Sequence, residues 1–149
     1  MRSAAAPSPA PVYRSRVISS LVSRLSAALL LLSGVALLFA ADAVLPALVP
    51  GFPASAVWLG QLLAAAWLGV AALNWLQRTT VLGGIYGRAV VFANLVLYFV
   101  TAASLLRPLL RGAVPPAAWG AFAPAALLAA AYGALLFRGP FDPLQPPRG

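Results

Sequence analysis

The sequence predicts an all-α integral membrane protein, a four-helix bundle. Three observations support this prediction: 62% of the 149 residues are hydrophobic, only 8% are charged, and the apolar residues are concentrated in four separate runs. Ordinary soluble domains carry about 25% charged residues. A soluble fold of this length would need more polar surface than this chain has, so we expect one domain that lies in a membrane.

The four apolar runs are long enough to cross the hydrocarbon core of a bilayer, which takes about 20 helical residues. They contain 17 to 21 residues and no charge, and they cover residues 25–41, 57–76, 89–106 and 117–137. Because a backbone in lipid must satisfy its own hydrogen bonds, each run is expected to be a helix. The first run is the shortest, and we expect it to extend upstream through residues 17–24 by a turn or two.

The segments that flank this membrane domain (residues 25–138) are rich in proline and polar residues. We therefore predict a disordered, basic N-terminal tail at residues 1–24 and a disordered C-terminal tail at residues 139–149. One alternative stays open for the first span. Arginines, an apolar run and the small residues of "FAADA" also resemble a signal peptide, and its cleavage would leave three spans.

The arginines predict the orientation in the membrane. With both termini on one side, eight of the ten basic residues share that side, namely Arg2, Arg14, Arg16, Arg24, Arg78, Arg88, Arg138 and Arg148. The third connection has the other two, Arg107 and Arg111. Since basic residues favour the cytoplasmic side, we expect both termini to be cytoplasmic. The excess of Ala, Arg, Pro and Gly over Lys indicates a GC-rich genome, so the predicted location is a bacterial inner membrane.

The residue types that the chain lacks restrict its chemistry. It has no His and no Cys, which excludes ordinary zinc, haem and iron–sulfur ligation and the Ser–His–Asp type of catalytic site. The two aspartates, Asp42 and Asp142, are predicted on opposite sides of the membrane. We therefore expect no catalytic residue, no metal and no cofactor. Although the net charge is +8, the arginines border apolar runs that contain most of the aromatics, so no nucleic-acid partner is expected.

Several polar residues fall inside the predicted spans. Asn94, Tyr98 and Thr101 are spaced i, i+4 and i+7, which places them on one helix face, and Asn74 lies at a comparable depth in the second span. Two interpretations stay open. These side chains either hold the helices together through hydrogen bonds across the bundle, or line a small polar cavity that opens toward the cytoplasm.

The connection between the second and third spans reads "NWLQRTTVLGGIYGRAVV". It combines glycines, arginines and the N-terminus of the third helix, features that favour an anion, most simply a lipid phosphate. The predicted anion or lipid site contains Arg78, Gly83, Gly84, Tyr86, Gly87 and Arg88. The motif is neither a P-loop nor a dinucleotide-binding loop. A tight turn whose arginines only orient the protein and a turn that docks a partner are the alternatives.

Small residues recur on two helices and favour close helix approach. The fourth span has a ladder with a spacing of four residues, and the second span has a shorter one: Ala117, Ala121, Ala125, Ala129 and Gly133, and Gln61, Ala65 and Gly69. Internal packing and self-association into a homo-oligomer both explain these ladders.

The chain resembles small uncharacterised bacterial membrane proteins of the DoxX-like kind. The resemblance lies in the four spans and in the connection that contains Asn74, Trp75 and residues 83–88. The resemblance covers residues 25–138 and implies a four-helix bundle. Some DoxX-like proteins are associated with quinone-linked oxidoreductases, but no quinone or catalytic residue can be carried over to this chain.

Three functions follow from the sequence as hypotheses. The first is a non-catalytic accessory, structural or small binding subunit that contacts anionic lipids or a partner membrane protein. The second is a carrier of a small solute or lipophile. The third is a membrane subunit associated with a quinone-linked oxidoreductase.

Overall fold

The structure is a computed structural model that describes residues 10–79 and 85–138, with side chains over residues 18–78 and 87–137. Within these ranges the chain forms four long helices and no strand: α1 (Ala10–Leu48), α2 (Val57–Leu76), α3 (Ile85–Leu110) and α4 (Trp119–Arg138). Short 3-10 turns flank α2 and precede α4, at Ala54–Ala56, Gln77–Thr79 and Pro116–Ala118. The predicted all-α four-helix bundle is confirmed.

Each of these helices is long and apolar enough to cross a bilayer. The candidate spans have mean hydropathies between 1.8 and 2.3, and they cover Ile18–Leu48, Ala54–Leu76, Gly87–Leu110 and Pro116–Phe137. Large apolar side chains lie on the outside of the bundle, for example Leu32, Phe39, Leu76 and Leu127, each more than two-thirds exposed. Such a surface suits lipid rather than water. The chain is a multi-pass membrane protein.

Helix α1 is longer than the predicted first span and begins at Ala10. Residues 17–24 are helical, in line with the expected upstream extension of the first span, and residues 10–16, which we expected to belong to a disordered tail, are helical as well. The upstream extension is held to the bundle by a face of small polar residues: Ser19, Ser23 and Ser26 are all buried, at a spacing of four and three residues that places them on one side of the helix. The rest of that prediction, residues 1–9 and 139–149, lies outside the described residues.

The helices pack as two hairpins. Helix α1 packs along α2, and α3 packs along α4. Glycines bring α1 and α2 together, because a Cβ on Gly34 would lie 2.9 Å from Leu68 Cγ and a Cβ on Gly60 would lie 2.7 Å from Leu45 Cδ1. In the C-terminal part of α1, Ala40 departs from helical geometry (φ −134°, ψ 31°), which marks a kink.

The two hairpins meet in the centre of the bundle through a compact core. Its buried members come from every helix: Leu30, Ala71, Val91, Tyr98, Ala125, Ala129 and Tyr132. One end of the bundle has the short loops within the hairpins, where Gly51 and Gly112 adopt positive φ angles of 79° and 65°. We call this the loop end. The opposite end, which has the connection between the hairpins, is called the terminal end.

Candidate functional site

A cluster of polar side chains is buried where the hairpins meet. We define this polar cluster as Ser26 of α1, Asn74 of α2, and Asn94 and Tyr98 of α3. Ser26, Asn74 and Asn94 are completely buried, and Tyr98 is 3% exposed. Because buried polar groups in a bilayer have no water to bond with, they must find partners in the protein.

The two asparagines satisfy each other. Asn74 Nδ2 donates to Asn94 Oδ1 at 2.8 Å, and Asn94 Nδ2 donates back to Asn74 Oδ1 at 2.7 Å. The second hydrogen of each amide is also used, since Asn74 Nδ2 donates to Ser26 Oγ at 2.8 Å and Asn94 Nδ2 donates to the Val90 carbonyl at 2.9 Å. A primary amide has two N–H donors. All four donors of the pair are therefore engaged within the protein.

The hydroxyls of Ser26 and Tyr98 continue the network, with 2.7 Å between Ser26 Oγ and Tyr98 Oη. Ser26 Oγ already accepts from Asn74 Nδ2, and it lies 3.4 Å from Asn94 Oδ1, an acceptor for the Ser26 proton. If Tyr98 donates to Ser26, the Ser26 proton can point to Asn94 Oδ1 and every hydroxyl proton has an acceptor. We therefore assign the donor role to Tyr98.

Tyr132 of α4 lies directly against the cluster. Its ring stacks on the Tyr98 ring, with centroids 6.0 Å apart and planes inclined by 10°. Tyr132 is completely buried, and its hydroxyl lies near Ser23 and Ser26. Even so, Tyr132 Oη forms no hydrogen bond with any group in the described part of the chain. This hydroxyl is the unsatisfied member of an otherwise satisfied core.

A cavity of about 290 Å³ adjoins the cluster on the side of the loop end. All four helices contribute to its walls. Most of the lining is apolar, and it includes Leu29, Leu48, Trp67, Leu97, Ala117 and Ala121. The polar side chains of the lining are Ser33, Tyr98 and Thr101, and none of the lining residues is charged.

Small residues at the start of α4 leave the cavity open. Gly120 lines the cavity and is exposed, and a Cβ built on it has nothing within 4 Å. Farther along α4, Ala125 and Ala129 are buried and Gly133 approaches Leu95 of α3. In the ladder of α4, Ala125 and Ala129 thus pack inside the bundle, whereas Ala117 and Ala121 line the cavity.

The four residues predicted to surround a polar cavity lie in two different places. Asn74, Asn94 and Tyr98 meet in the polar cluster. Thr101 lies one turn closer to the loop end, where its hydroxyl donates to the Leu97 carbonyl at 2.7 Å. Tyr98 and Thr101 line the cavity described above, whereas the two asparagines do not.

Sequence reasoning missed three residues of this region: Ser26, Ser33 and Tyr132. The signal for two of them was available, because Ser26 and Ser33 continue the face of α1 that begins with Ser19 and Ser23. Tyr132 stands alone among alanines and leucines, and no periodic pattern distinguishes it from an ordinary core residue.

The predicted anion site at the connection between the hairpins is described only in part. Arg78 Nη1 donates to the Trp75 carbonyl at 2.6 Å, and its guanidinium lies 4.1 Å from the centre of the Trp75 ring. Arg78 therefore caps the C-terminus of α2, where a cation is favourable. Tyr86, Gly87 and Arg88 belong to the first turn of α3, and Arg88 is exposed. Gly83, Gly84 and the Tyr86 side chain lie outside the described residues.

Comparison with protein-family models, with curated proteins and with solved structures finds no match for this chain.

Proposed function

We propose that this protein is a non-catalytic membrane protein that binds one lipophilic molecule in the cavity at the loop end. The observation that supports this proposal is the cavity itself, with a volume of about 290 Å³ and mostly apolar walls. Binding sites for small molecules are typically concave and apolar, with a few polar groups that orient the ligand. A cavity of about 150 Å³ already accommodates benzene, so this one has room for a larger molecule.

The surroundings of the cavity favour binding over transport through the bundle. Toward the terminal end, the cavity borders the polar cluster at Tyr98, and the amide donors of this cluster are all engaged. A carrier would have to break these bonds to pass a solute, and groups in a bilayer have no water to replace them. Binding within one half of the bundle requires no such change.

The polar groups of the lining are neutral hydroxyls, on Ser33, Tyr98 and Thr101. General acid–base catalysis is most efficient when the pKa of the catalytic group lies near the operating pH, and Ser, Thr and Tyr hydroxyls ordinarily titrate far above neutrality. A binding role without catalysis is therefore preferred. In the orientation predicted by the arginines, the termini are in the bacterial cytoplasm and the ligand occupies the outer half of the inner membrane.

The proposal is tested by filling the cavity. In Gly120→Phe, the new ring would occupy the open wall and displace the ligand. Gly69→Phe is the matched control, since Gly69 lies on α2 and also has nothing within 4 Å of a built Cβ, but does not line the cavity. Each variant is purified in mild detergent, and the copurified lipophile is quantified by native mass spectrometry.

We expect the wild type and Gly69→Phe to retain a bound lipophile in a ratio of one per chain and Gly120→Phe to lose it. Equal retention by both variants would overturn the proposal, because the bound molecule would then lie on the lipid-facing surface. If no lipophile copurified with the wild type or with either variant, that result would equally count against the proposal.

A further inference from the structure

The polar groups of the cavity carry information about the chemistry of the ligand. We propose that the ligand is a single-chain neutral alcohol, whose hydroxyl bonds with Ser33 of α1 and with the Gly120 carbonyl of α4 and whose chain lies against the apolar walls. This inference rests on the proposed function, because it concerns the occupant of the same cavity.

The proposed hydrogen-bond acceptor for the ligand is the Gly120 carbonyl, which Pro124 leaves without its usual helical donor. Gly120 and Pro124 both line the cavity and are four residues apart in α4. In a regular helix the N–H of residue 124 would donate to the carbonyl of residue 120, but proline has no N–H. The Gly120 carbonyl therefore loses its α-helical donor at the wall of the cavity. Side chains, waters or local helix adjustments re-satisfy such carbonyls in membrane helices, and a ligand hydroxyl in the cavity can take that role.

The proposed hydrogen-bond donor for the ligand is the Ser33 hydroxyl, on the opposite hairpin. Ser33 is half-buried and lines the cavity. Within the described ranges its hydroxyl has no hydrogen-bond partner, unlike the Thr101 hydroxyl, which donates to its own helix at Leu97. The Tyr98 hydroxyl is likewise engaged, with Ser26. Ser33 is thus the lining side chain that retains an unused proton.

The Ser33 hydroxyl as donor and the Gly120 carbonyl as acceptor together indicate which functional group the ligand has. A hydroxyl complements both, since it donates one hydrogen bond and accepts another. An ether or ketone only accepts, and a hydrocarbon does neither. A carboxylate would bring a charge into a cavity that has no charged residue in its lining, which is costly inside a membrane.

The volume restricts the hydrocarbon part. A cavity of about 290 Å³ is about twice the size of one that accommodates benzene. One chain of moderate length fits such a space, whereas the two chains of a glycerolipid do not. Straight-chain alcohols and branched isoprenoid alcohols share the required chemistry, so both kinds are included in the test.

The experiment uses the full-length protein in liposomes and a ten-carbon alcohol that has a photoreactive diazirine on its chain. After irradiation, labelled peptides are quantified by mass spectrometry, and labelling of α4 near Gly120 reports occupancy. The competitors are 1-decanol, geraniol, decyl methyl ether, decane and decanoate, at matched concentrations in the bilayer. Gly120→Phe supplies the background for an occluded cavity.

We expect both alcohols to suppress the labelling, and the ether, alkane and carboxylate to be at least ~5-fold weaker, as expected for the loss of one net hydrogen bond. The preference for the alcohols should disappear in Ser33→Ala, where the donor is absent, and decrease in Pro124→Ala, which restores the N–H for the Gly120 carbonyl. Ser104→Ala removes an exposed serine of α3 outside the cavity and should leave the preference intact. A stronger effect of geraniol than of 1-decanol would identify an isoprenoid alcohol, and the reverse a straight-chain one.

Two negative results are distinguishable. If decane competes as well as 1-decanol in the wild type, the inferred hydroxyl is wrong, although a lipophile still binds in the cavity. If the labelling of α4 is the same in the wild type and in Gly120→Phe, the cavity is not a binding site, and the proposed function fails together with the inference.

Discussion

Asn74 and Asn94 form a reciprocal amide pair that joins the two helical hairpins, with N–O distances of 2.8 and 2.7 Å. The pair is completely buried, and its remaining donors bond with Ser26 and Val90. Hydrogen bonds between membrane helices contribute modestly, about 0.6 kcal/mol on average. The main effect of the Asn74–Asn94 hydrogen bonds is to fix the depth at which α2 and α3 face each other.

The first prediction concerns this pair. Asn94→Leu removes both of its bonds to Asn74 and leaves a buried amide unsatisfied, so we expect a loss of about 1–3 kcal/mol in the free energy of unfolding. Asn74→Leu should cost a similar amount. In the double variant neither partner is left unsatisfied, so its loss should be smaller than the sum of the single losses. Unfolding in mixed micelles measures all three, and additive losses would show that the pair is not coupled.

The second prediction contrasts two stacked tyrosines. Tyr98→Phe removes the hydroxyl that bonds with Ser26 and should destabilise the protein by about 1 kcal/mol. Tyr132→Phe removes a buried hydroxyl that has no partner in the described part of the chain, so it should be neutral or stabilising. Both changes keep the ring stack and can be compared in the same unfolding assay. A loss of stability in Tyr132→Phe that equals that of Tyr98→Phe would reveal a hidden partner, such as a bound water.

The helices and the site differ in how much of them the sequence predicts. Runs of apolar residues located α2, α3 and α4 to within a few residues, because the thickness of a bilayer sets both the length and the composition of a span. The upstream extension of α1 was predicted only over residues 17–24, since residues 10–16 combine a proline with two arginines and have low hydropathy. Hydropathy reports where a helix meets lipid, and it does not detect a polar face that packs against other helices.

The polar cluster was only partly visible in the sequence. The helical spacing placed Asn94 and Tyr98 on one face, and both lie in the cluster. Ser26 joins them because α1 packs against α2 at Gly34 and Gly60, a pairing of helices that a single sequence does not reveal. The cavity was invisible for a related reason, since it depends on the distance of the start of α4 from the other helices and not on any residue type.

The third prediction tests the close contact between α1 and α2. A Cβ on Gly34 would lie 2.9 Å from Leu68 Cγ and 3.3 Å from the Ala64 carbonyl oxygen. Gly34→Leu should therefore push the helices apart and cost about 1–3 kcal/mol, the usual range for overpacking. Gly69→Leu is the control on α2, because a Cβ there meets nothing within 4 Å. Equal stability of the two variants would show that the hairpin is less tightly packed than described.

The fourth prediction concerns the arginines at the terminal end. Arg88 is exposed in the first turn of α3, where helix N–H groups favour anions, and Arg78 lies beside Trp75 at the end of α2. If this connection binds a lipid phosphate, Arg78→Ala and Arg88→Ala should each reduce the retention of anionic lipid, as measured by native mass spectrometry. Arg107→Ala, at the opposite end of the bundle, is the control. Unchanged lipid retention in the Arg78→Ala/Arg88→Ala double variant would eliminate the anion site.

The last prediction is the orientation of the bundle, on which the leaflet of the ligand depends. Eight of the ten arginines would lie on the side of the termini and the α2–α3 connection, an asymmetry that favours the cytoplasm. A reporter that is active only in the periplasm should therefore be inactive when inserted after Gly83 and active when inserted after Gly112, in a loop with a positive φ angle. A cytoplasm-active reporter at the same positions should give the opposite pattern. The reverse result for both reporters would place the cavity in the inner leaflet and expose the arginine-rich connection to the periplasm, where it could not serve cytoplasmic anions.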